Sequence, residues 1–251
     1  MDESTGSGYN GRRAEETKER AMMRQNPPWE LEISLDDVLR GQGADPAQLR
    51  RRSPVLVEAA ERALAEGRSL IQPAAVHREV AILRARHERL ELEDGGFLAG
   101  ALPFQHLAGA ERVIVAVCTI GEALETRVAS LMASDPIYAL ALDGFGSAAV
   151  EALANALCRC FSTEAETAGE RTSLPLSPGQ PGWPLAEGQA QIFALVDAST
   201  IGVQLTDHAM MVPRKSLSFV VGVGRDLQVR GSPCEACPLK ERCRYRSDRD
   251  A

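Results

Sequence analysis

The chain has 251 residues, of which 44% are hydrophobic and 25% charged, and its formal net charge at pH 7 is -7. This length and composition predict a globular protein with a sizeable core. The acidic balance and the 4% of aromatic residues argue against a nucleic-acid-binding surface, which needs clustered Lys and Arg. The sequence has no uninterrupted apolar run of about 18 residues and is charged from Asp2 onward, so we expect a cytoplasmic protein without signal peptide or membrane span.

The first 28 residues mix glycine, serine and charges of both signs without an apolar period. This composition predicts a disordered tail over 1–28. The alternative interpretation is a docking helix from Ala14 to Met23, in which Met22 and Met23 would need a partner. Composition therefore separates this tail from the part of the chain that shows regular apolar periods.

Two helices are predicted ahead of the first strand. Ser34 can cap a short helix that runs to Leu39. Ser53 and Pro54 suit the N-cap and the first position of a longer helix, whose apolar stripe continues to Gly67. The spacing of these residues indicates amphipathic helices that pack against a sheet.

Strands are predicted next, because apolar and polar residues alternate at Val76–Ile82 and Leu90–Leu92. The basic run Arg84–Arg89 between them is interpreted as a charged turn at a solvated edge. Phe97–Leu107 is expected to be a helix or a loop. The nearly continuous apolar run Val113–Val117 predicts a strand in the middle of the sheet.

Two further helices are predicted at Glu122–Met132 and from Asp135 to Phe161. Gly144 and Gly146 lie inside the second helix, where each glycine costs about 1 kcal/mol relative to alanine. We expect a close approach of another element to offset that cost. Asp143 is interpreted as facing water, with contact to a ligand as the alternative.

The most informative stretch runs from Leu174 to Gly224. Its first part, Ser177–Pro184, holds three prolines and two glycines around one tryptophan, which predicts a rigid but irregular loop. Three predicted elements follow this loop: a helix at Leu185–Val196, a strand in the short apolar run Ile201–Leu205 and a second strand at Leu217–Val223. The Pro213-Arg214-Lys215 corner lies between the two strands.

Short motifs in this stretch follow one another in a familiar order. They are Ser177-Pro178-Gly179, Trp183-Pro184, Ile192-Phe193-Ala194-Leu195, Ile201-Gly202-Val203, Leu205-Thr206 and Pro213-Arg214-Lys215-Ser216. With these motifs the chain resembles the reactivation domain, which binds S-adenosylmethionine, of cobalamin-dependent methionine synthase. It resembles more closely the stand-alone relatives of that domain. The resemblance covers roughly residues 30 to 246 and implies an α+β domain over 29–230, with a central, mostly antiparallel sheet and flanking helices.

The resemblance also implies a function. The protein would bind S-adenosylmethionine and dock on a corrinoid-binding protein or cobalamin-dependent methyltransferase, where oxidised Co(II) is reduced and remethylated. Methyl transfer from a sulfonium needs alignment rather than acid or base chemistry, and we predict no catalytic side chain. The predicted ligand-binding residues are Ser177, Pro178, Gly179, Gln180, Trp183, Arg214 and Lys215.

Two positions depart from the pattern of that family. Its loop usually carries an arginine three residues before the Pro-Gly pair and a tyrosine directly after the glycine, where this chain has Pro175 and Gln180. Arg171 would replace the missing guanidinium only if the loop folds back. The alternative hypothesis is a non-catalytic module that binds a corrinoid protein and has lost S-adenosylmethionine. A third, weaker one is a metal-stabilised structural protein.

A cysteine cluster follows the domain and predicts a metal-binding tail over 231–251. Cys234, Cys237 and Cys243 form the pattern C-x2-C-x5-C, which is typical of thiolate-bound metal. Such centres usually take four ligands, and Cys160 is the predicted fourth. An iron-sulfur cluster, favoured as 4Fe-4S, would relay electrons to the corrinoid, whereas zinc would only stabilise the tail. Other candidates for the fourth ligand are Cys158, Cys118 and His208.

Overall fold

The computed structural model describes residues 30–43 and 45–227. The predicted tails over 1–28 and 231–251 lie outside the described residues. The helices are α1 (Leu35–Gly41), α2 (Pro46–Arg52), α3 (Pro54–Gly67), α4 (Ala101–Leu107), α5 (Ala123–Leu131), α6 (Pro136–Thr167) and α7 (Leu185–Leu195). The strands are β1 (Ala74–Arg86), β2 (Arg89–Leu92), β3 (Phe97–Ala99), β4 (Arg112–Thr119), β5 (Arg171–Thr172), β6 (Gln204–Leu205), β7 (Met211–Val212) and β8 (Ser216–Gly224).

Six of these strands form one curled antiparallel sheet in the order β3-β2-β1-β4-β8-β5. The predicted central strand is confirmed, because β4 pairs with β1 on one side and with β8 on the other. Strands β6 and β7 form a separate hairpin. The predicted fold class, α+β with a central antiparallel sheet, is therefore confirmed.

Side chains on the two sides of β4 enter two separate cores. Ile114 and Cys118 pack against α1, α3, α5 and α6, on what we call the helical face. Val113, Val115 and Val117 pack against α4, α7 and the Ser177–Pro184 loop, on what we call the loop face. Because both sides are covered, the strand is apolar at nearly every position.

The helical face is organised around α6. Asp135 caps this helix by accepting a hydrogen bond from the Tyr138 backbone at 3.2 Å. The helix extends to Thr167, six residues beyond the predicted end at Phe161. By length and composition it could cross a membrane, but 67% of its most apolar window is buried inside the protein. That burial is consistent with the core helix of a soluble protein.

The close approach predicted at Gly144 is present where α1 crosses α6. A Cβ atom at position 144 would lie 2.8 Å from the carbonyl oxygen of Val38. A Cβ atom at position 41 would lie 2.2 Å from the carbonyl oxygen of Gly144. The two glycines therefore let the backbones of α1 and α6 touch, which a side chain on either would prevent.

Three local predictions were wrong in part. The basic run is mostly strand, because β1 continues to Arg86 and only His87 and Glu88 form the turn, both with positive φ. A short strand, β3, occupies the start of Phe97–Leu107, whereas the later part of that range, Ala101–Leu107, is the predicted helix. The run Ile201–Leu205 begins as a 3-10 helix, Ala198–Ile201, and only its last two residues are strand.

Candidate ligand-binding site

The Ser177–Pro184 loop is joined directly to the sheet. The residue before it, Leu176, exchanges two backbone hydrogen bonds of 2.9 Å with Val220 of β8. Within the loop, the Gly179 N–H donates to the Trp183 carbonyl at 2.8 Å, and the Trp183 N–H donates to the Gln180 carbonyl at 3.0 Å. The predicted rigid loop is present, and its backbone is cross-linked by its own hydrogen bonds.

Gly179 is exposed and has a φ of +92°. A Cβ atom there would make ordinary contact with Leu185 at 3.6 Å, so space does not require a glycine. The left-handed backbone does, because residues with a side chain adopt it only with strain. Gly179 and its neighbours Pro181 and Gly182 leave the outer side of the loop as nearly bare backbone.

Trp183 is fully buried beneath the loop. Its indole Nε1–H donates to the Gln191 side chain at 3.3 Å, and the same oxygen accepts from the Ala99 N–H of β3 at 2.9 Å. The ring packs on Gly188 of α7, where a Cβ atom would lie 2.9 Å from it. Trp183 thus anchors the loop, and in this structure its ring presents no surface to a ligand.

The Gln180 side chain folds back into the loop. Its Oε1 accepts a hydrogen bond from the Ser177 N–H at 2.9 Å, so the side chain braces the turn. Ser177, Pro178 and Gln180 are all half-buried. The structure therefore brings Ser177, Pro178, Gly179 and Gln180 together in one tight turn, and their contact with a ligand stays a prediction.

Sequence reasoning missed a row of buried polar side chains on the loop face. The Ser218 hydroxyl donates to Gln189 of α7 at 2.9 Å, and the Ser216 hydroxyl lies 2.9 Å from that of Thr119. All four side chains are at most 4% exposed. The signal in the sequence was Ser216-Leu217-Ser218, since alternate residues of a strand face the same side.

The Arg214 and Lys215 side chains contact α5 and α6, whereas the Lys215 carbonyl accepts a hydrogen bond from the Thr119 hydroxyl of this row at 3.4 Å. The Lys215 ammonium is 3.0 Å from the Asp143 carboxylate and donates to Ser147 at 2.9 Å. Arg214 is 70% exposed and its Nε lies 3.6 Å from Glu125. Asp143, interpreted as facing water, is therefore the ion-pair partner of Lys215, and Arg214 is the more accessible of the two cations.

The loop does not fold back to bring Arg171 near. Arg171 pairs with Gly224 of β8, whereas Leu176, which begins the loop, is bridged to Val220. Four residues of strand separate those two points, which is about 13 Å. Arg171 therefore lies at the edge of the sheet. Its distance from the start of the loop is longer than an arginine side chain, so it does not replace the guanidinium that the related loop has at the position of Pro175.

The predicted metal ligands Cys234, Cys237 and Cys243 lie outside the described residues. Cys160 is half-buried on α6, where Arg159 and Thr163 help to line a shallow depression of about 360 Å³. Within residues 30–43 and 45–227, no group of three or more His, Cys, Asp or Glu side chains could hold a metal ion. The metal centre stays a prediction that depends on the tail.

Two alternative fourth ligands sit in the core. Burial raises the pKa of the Cys118 thiol to about 12 and that of the Cys158 thiol to about 11. A thiol with so high a pKa is protonated at neutral pH and behaves as a small apolar side chain. His208 is exposed in the turn between β6 and β7. Of the four candidates, His208 is exposed, Cys158 and Cys160 are half-buried, and Cys118 is buried.

Comparisons with known proteins place the fold. No protein-family model matches the chain, and no curated protein matches it. Among solved structures it is similar to the crystal structure of the MetH reactivation domain bound to AdoHcy, with 14% sequence identity and a TM-score of 0.59. The match covers 79% of this chain and 76% of that one. The chain therefore shares the fold of the MetH reactivation domain.

Proposed function

We propose that this protein reactivates a corrinoid-dependent methyltransferase, holding S-adenosylmethionine at the Ser177–Pro184 loop and presenting its methyl group to the cobalt of a partner. The observation that carries the proposal is the shared fold with a reactivation domain that was crystallised with AdoHcy. AdoHcy is what S-adenosylmethionine becomes when it has given up its methyl group. A site for either molecule needs the same adenosine and amino-acid contacts.

The loop suits such a ligand because it is fixed and nearly bare. The Leu176 bridge to β8 and the buried Trp183 set its position relative to the sheet. Gly179 is exposed and has no side chain above its backbone, so a flat nucleoside can approach it closely. Arg214, which is largely exposed, is available for a carboxylate or for the anionic groups of a corrinoid.

The chemistry asks the protein for alignment. In the transfer, the bond between the methyl carbon and sulfur breaks, its electron pair stays on sulfur, and the electron pair of Co(I) forms the new bond to carbon. No proton moves, so no general acid or base is required. The contribution of the chain is to hold the carbon, sulfur and cobalt in line. In favourable cases such orientation lowers the activation free energy by about 7–11 kcal/mol.

The same proposal assigns a metal to Cys234, Cys237 and Cys243, with Cys160 as the fourth ligand. Thiolates of this kind suit an iron-sulfur cluster or zinc. A bound iron-sulfur cluster would supply the electron that reduces Co(II). The described chain ends at Leu227, and seven residues of extended chain reach at most about 24 Å, so Cys234 must find Cys160 within that radius. Iron, sulfide and zinc analysis of protein purified without oxygen tests this part.

The test of ligand binding is calorimetry with AdoHcy and with S-adenosylmethionine on the full chain. We expect Gly179→Val to weaken both ligands at least tenfold, which is about 1.4 kcal/mol. Gly169→Val is the matched control, because Gly169 has a φ of +73° with no atom within 4 Å of an added Cβ. Equal losses in the two variants would show strain rather than a site at Gly179.

If the wild-type chain binds neither AdoHcy nor S-adenosylmethionine, the second candidate function applies. Pro175 offers no donor and Arg171 is too far along β8 to replace one, which favours a module that binds a corrinoid protein without S-adenosylmethionine. The variant Pro175→Arg with Gln180→Tyr restores both residues of the related loop. Binding of AdoHcy by this variant alone would support the second function. Co-elution with a purified corrinoid protein is expected under either function.

A further inference from the structure

A groove lies on the helical face of the sheet. It lies between the segment that leads into α1 and the middle of α6, and its volume is about 1360 Å³. The proposed ligand loop is on the opposite face of the sheet. The apolar side chains that line the groove, called its apolar floor below, are Leu31, Ile33, Ile71, Pro73, Ala148 and Ala152.

Negative charge surrounds this apolar floor. Five carboxylates line the groove, of which Asp36 pairs with Arg50 and Asp37 with Arg40, so the other three carry its remaining negative charge. Two guanidinium groups, those of Arg40 and Arg68, also line it. Both arginines are already engaged, since Arg40 pairs with Asp37 at 3.1 Å and Arg68 donates to the Leu31 carbonyl at 3.1 Å. Partial desolvation raises the pKa of the Glu151 carboxyl, and a nearby cation would stabilise its charged form. The groove is thus complementary to a short segment with apolar and basic side chains.

The chain itself carries such a segment just before the groove. Residues 20–24 read Arg-Ala-Met-Met-Arg, with two methionines between two arginines. Glu30, which lines the groove, is six residues after Arg24, a separation that extended chain spans up to about 20 Å. A tether this short gives a local concentration on the order of millimolar. Methionine is flexible and adapts to irregular apolar surfaces.

We propose that residues 20–24 bind in this groove, with the Met22 and Met23 side chains on its apolar floor and Arg20 and Arg24 towards its carboxylates. The contact is intramolecular and independent of S-adenosylmethionine. It would give Met22 and Met23 the partner that the alternative docking helix over Ala14–Met23 needs.

The test is methyl NMR of the full chain with carbon-13 in the six methionine methyl groups. Met22→Leu and Met23→Leu identify the two signals. We expect both signals to be displaced from the position of free methionine and to show Overhauser contacts with the methyls of Ile33 and Ile71. Glu151→Lys should remove those contacts and return both signals to the free position.

Glu187→Lys is the control, because Glu187 is exposed on α7 and lies on the loop face. It should change neither signal, and the Met132 signal, from a side chain 57% exposed after α5, should stay constant in all samples. Methionine signals at the free position in the wild type, or contacts that survive Glu151→Lys, would overturn the proposal. Contacts that fade on dilution would assign the groove to a second copy of the chain and overturn it as well.

Discussion

The two faces of the sheet are held by different means. On the helical face, α6 packs apolar side chains over many turns, and two glycines bring α1 against it. On the loop face, an irregular segment is fixed by one buried tryptophan and a few polar side chains. Loss of a single contact is shared among many neighbours in the first layer and concentrated in the second. Substitutions in the two layers should therefore change the free energy of unfolding by different amounts.

Removal of the Trp183 ring should have the largest effect. Trp183→Ala leaves a cavity beneath the loop and is expected to lower the free energy of unfolding by about 3–5 kcal/mol. Trp183→Phe keeps most of the ring but loses the hydrogen bond to Gln191, so its cost should be about 1–2 kcal/mol. Urea unfolding followed by circular dichroism measures both. A cost below about 1 kcal/mol for the alanine variant would show that the loop does not depend on this anchor.

Gly144→Ala tests the helical layer, and here the direction of the change in the free energy of unfolding is informative. Helix propensity alone predicts stabilisation by about 1 kcal/mol. The new Cβ atom would lie 2.8 Å from the Val38 carbonyl oxygen, a backbone atom that cannot rotate away. We expect a net loss of about 1–3 kcal/mol, because α1 must move outward.

The control for this glycine is Gly109→Ala. No atom lies within 4 Å of a Cβ at position 109, and its φ is not positive. Its free energy of unfolding should change by less than about 0.5 kcal/mol. If Gly144→Ala changed the free energy of unfolding as little as the control does, α1 and α6 would pack less closely than the structure shows.

The difference between the layers also explains what the sequence could predict. Apolar periodicity and caps located β4, β8 and the helices α1, α3, α5, α6 and α7, because each buries a repeated pattern of side chains. They missed α2, which has no buried residue. The turn geometry of Ser177–Pro184 followed from its prolines and glycines. The inward position of Trp183 and the pairing of Lys215 with Asp143 did not follow, since each depends on one contact between residues distant in the chain. No local pattern records such a contact.

The smallest expected effect lies at the rim of the helical layer. The Tyr138 hydroxyl donates to the Glu66 carboxylate at 2.7 Å, and this bond, with help from Arg62, lowers the pKa of Glu66. Burial, together with the same bond, raises the pKa of Tyr138 to about 12. The interaction is therefore complete only while Glu66 is ionised and Tyr138 is protonated.

Tyr138→Phe should lower the urea midpoint by a nearly constant amount between about pH 5 and pH 9. The lowered pKa of Glu66 means that its stabilisation is present above the unfolded-state value of about 4.3 and is lost as the pH falls through the folded-state value. The raised pKa of Tyr138 means that its stabilisation is complete below about 10 and is lost as the pH rises towards 12. The gap between wild type and variant should therefore narrow at both ends of the range. Glu66→Gln, which keeps an acceptor without the charge, should remove the acid limb alone. If the difference in urea midpoint between wild type and Tyr138→Phe widened towards pH 3, the bond between Tyr138 and Glu66 would not be the one that is lost in acid.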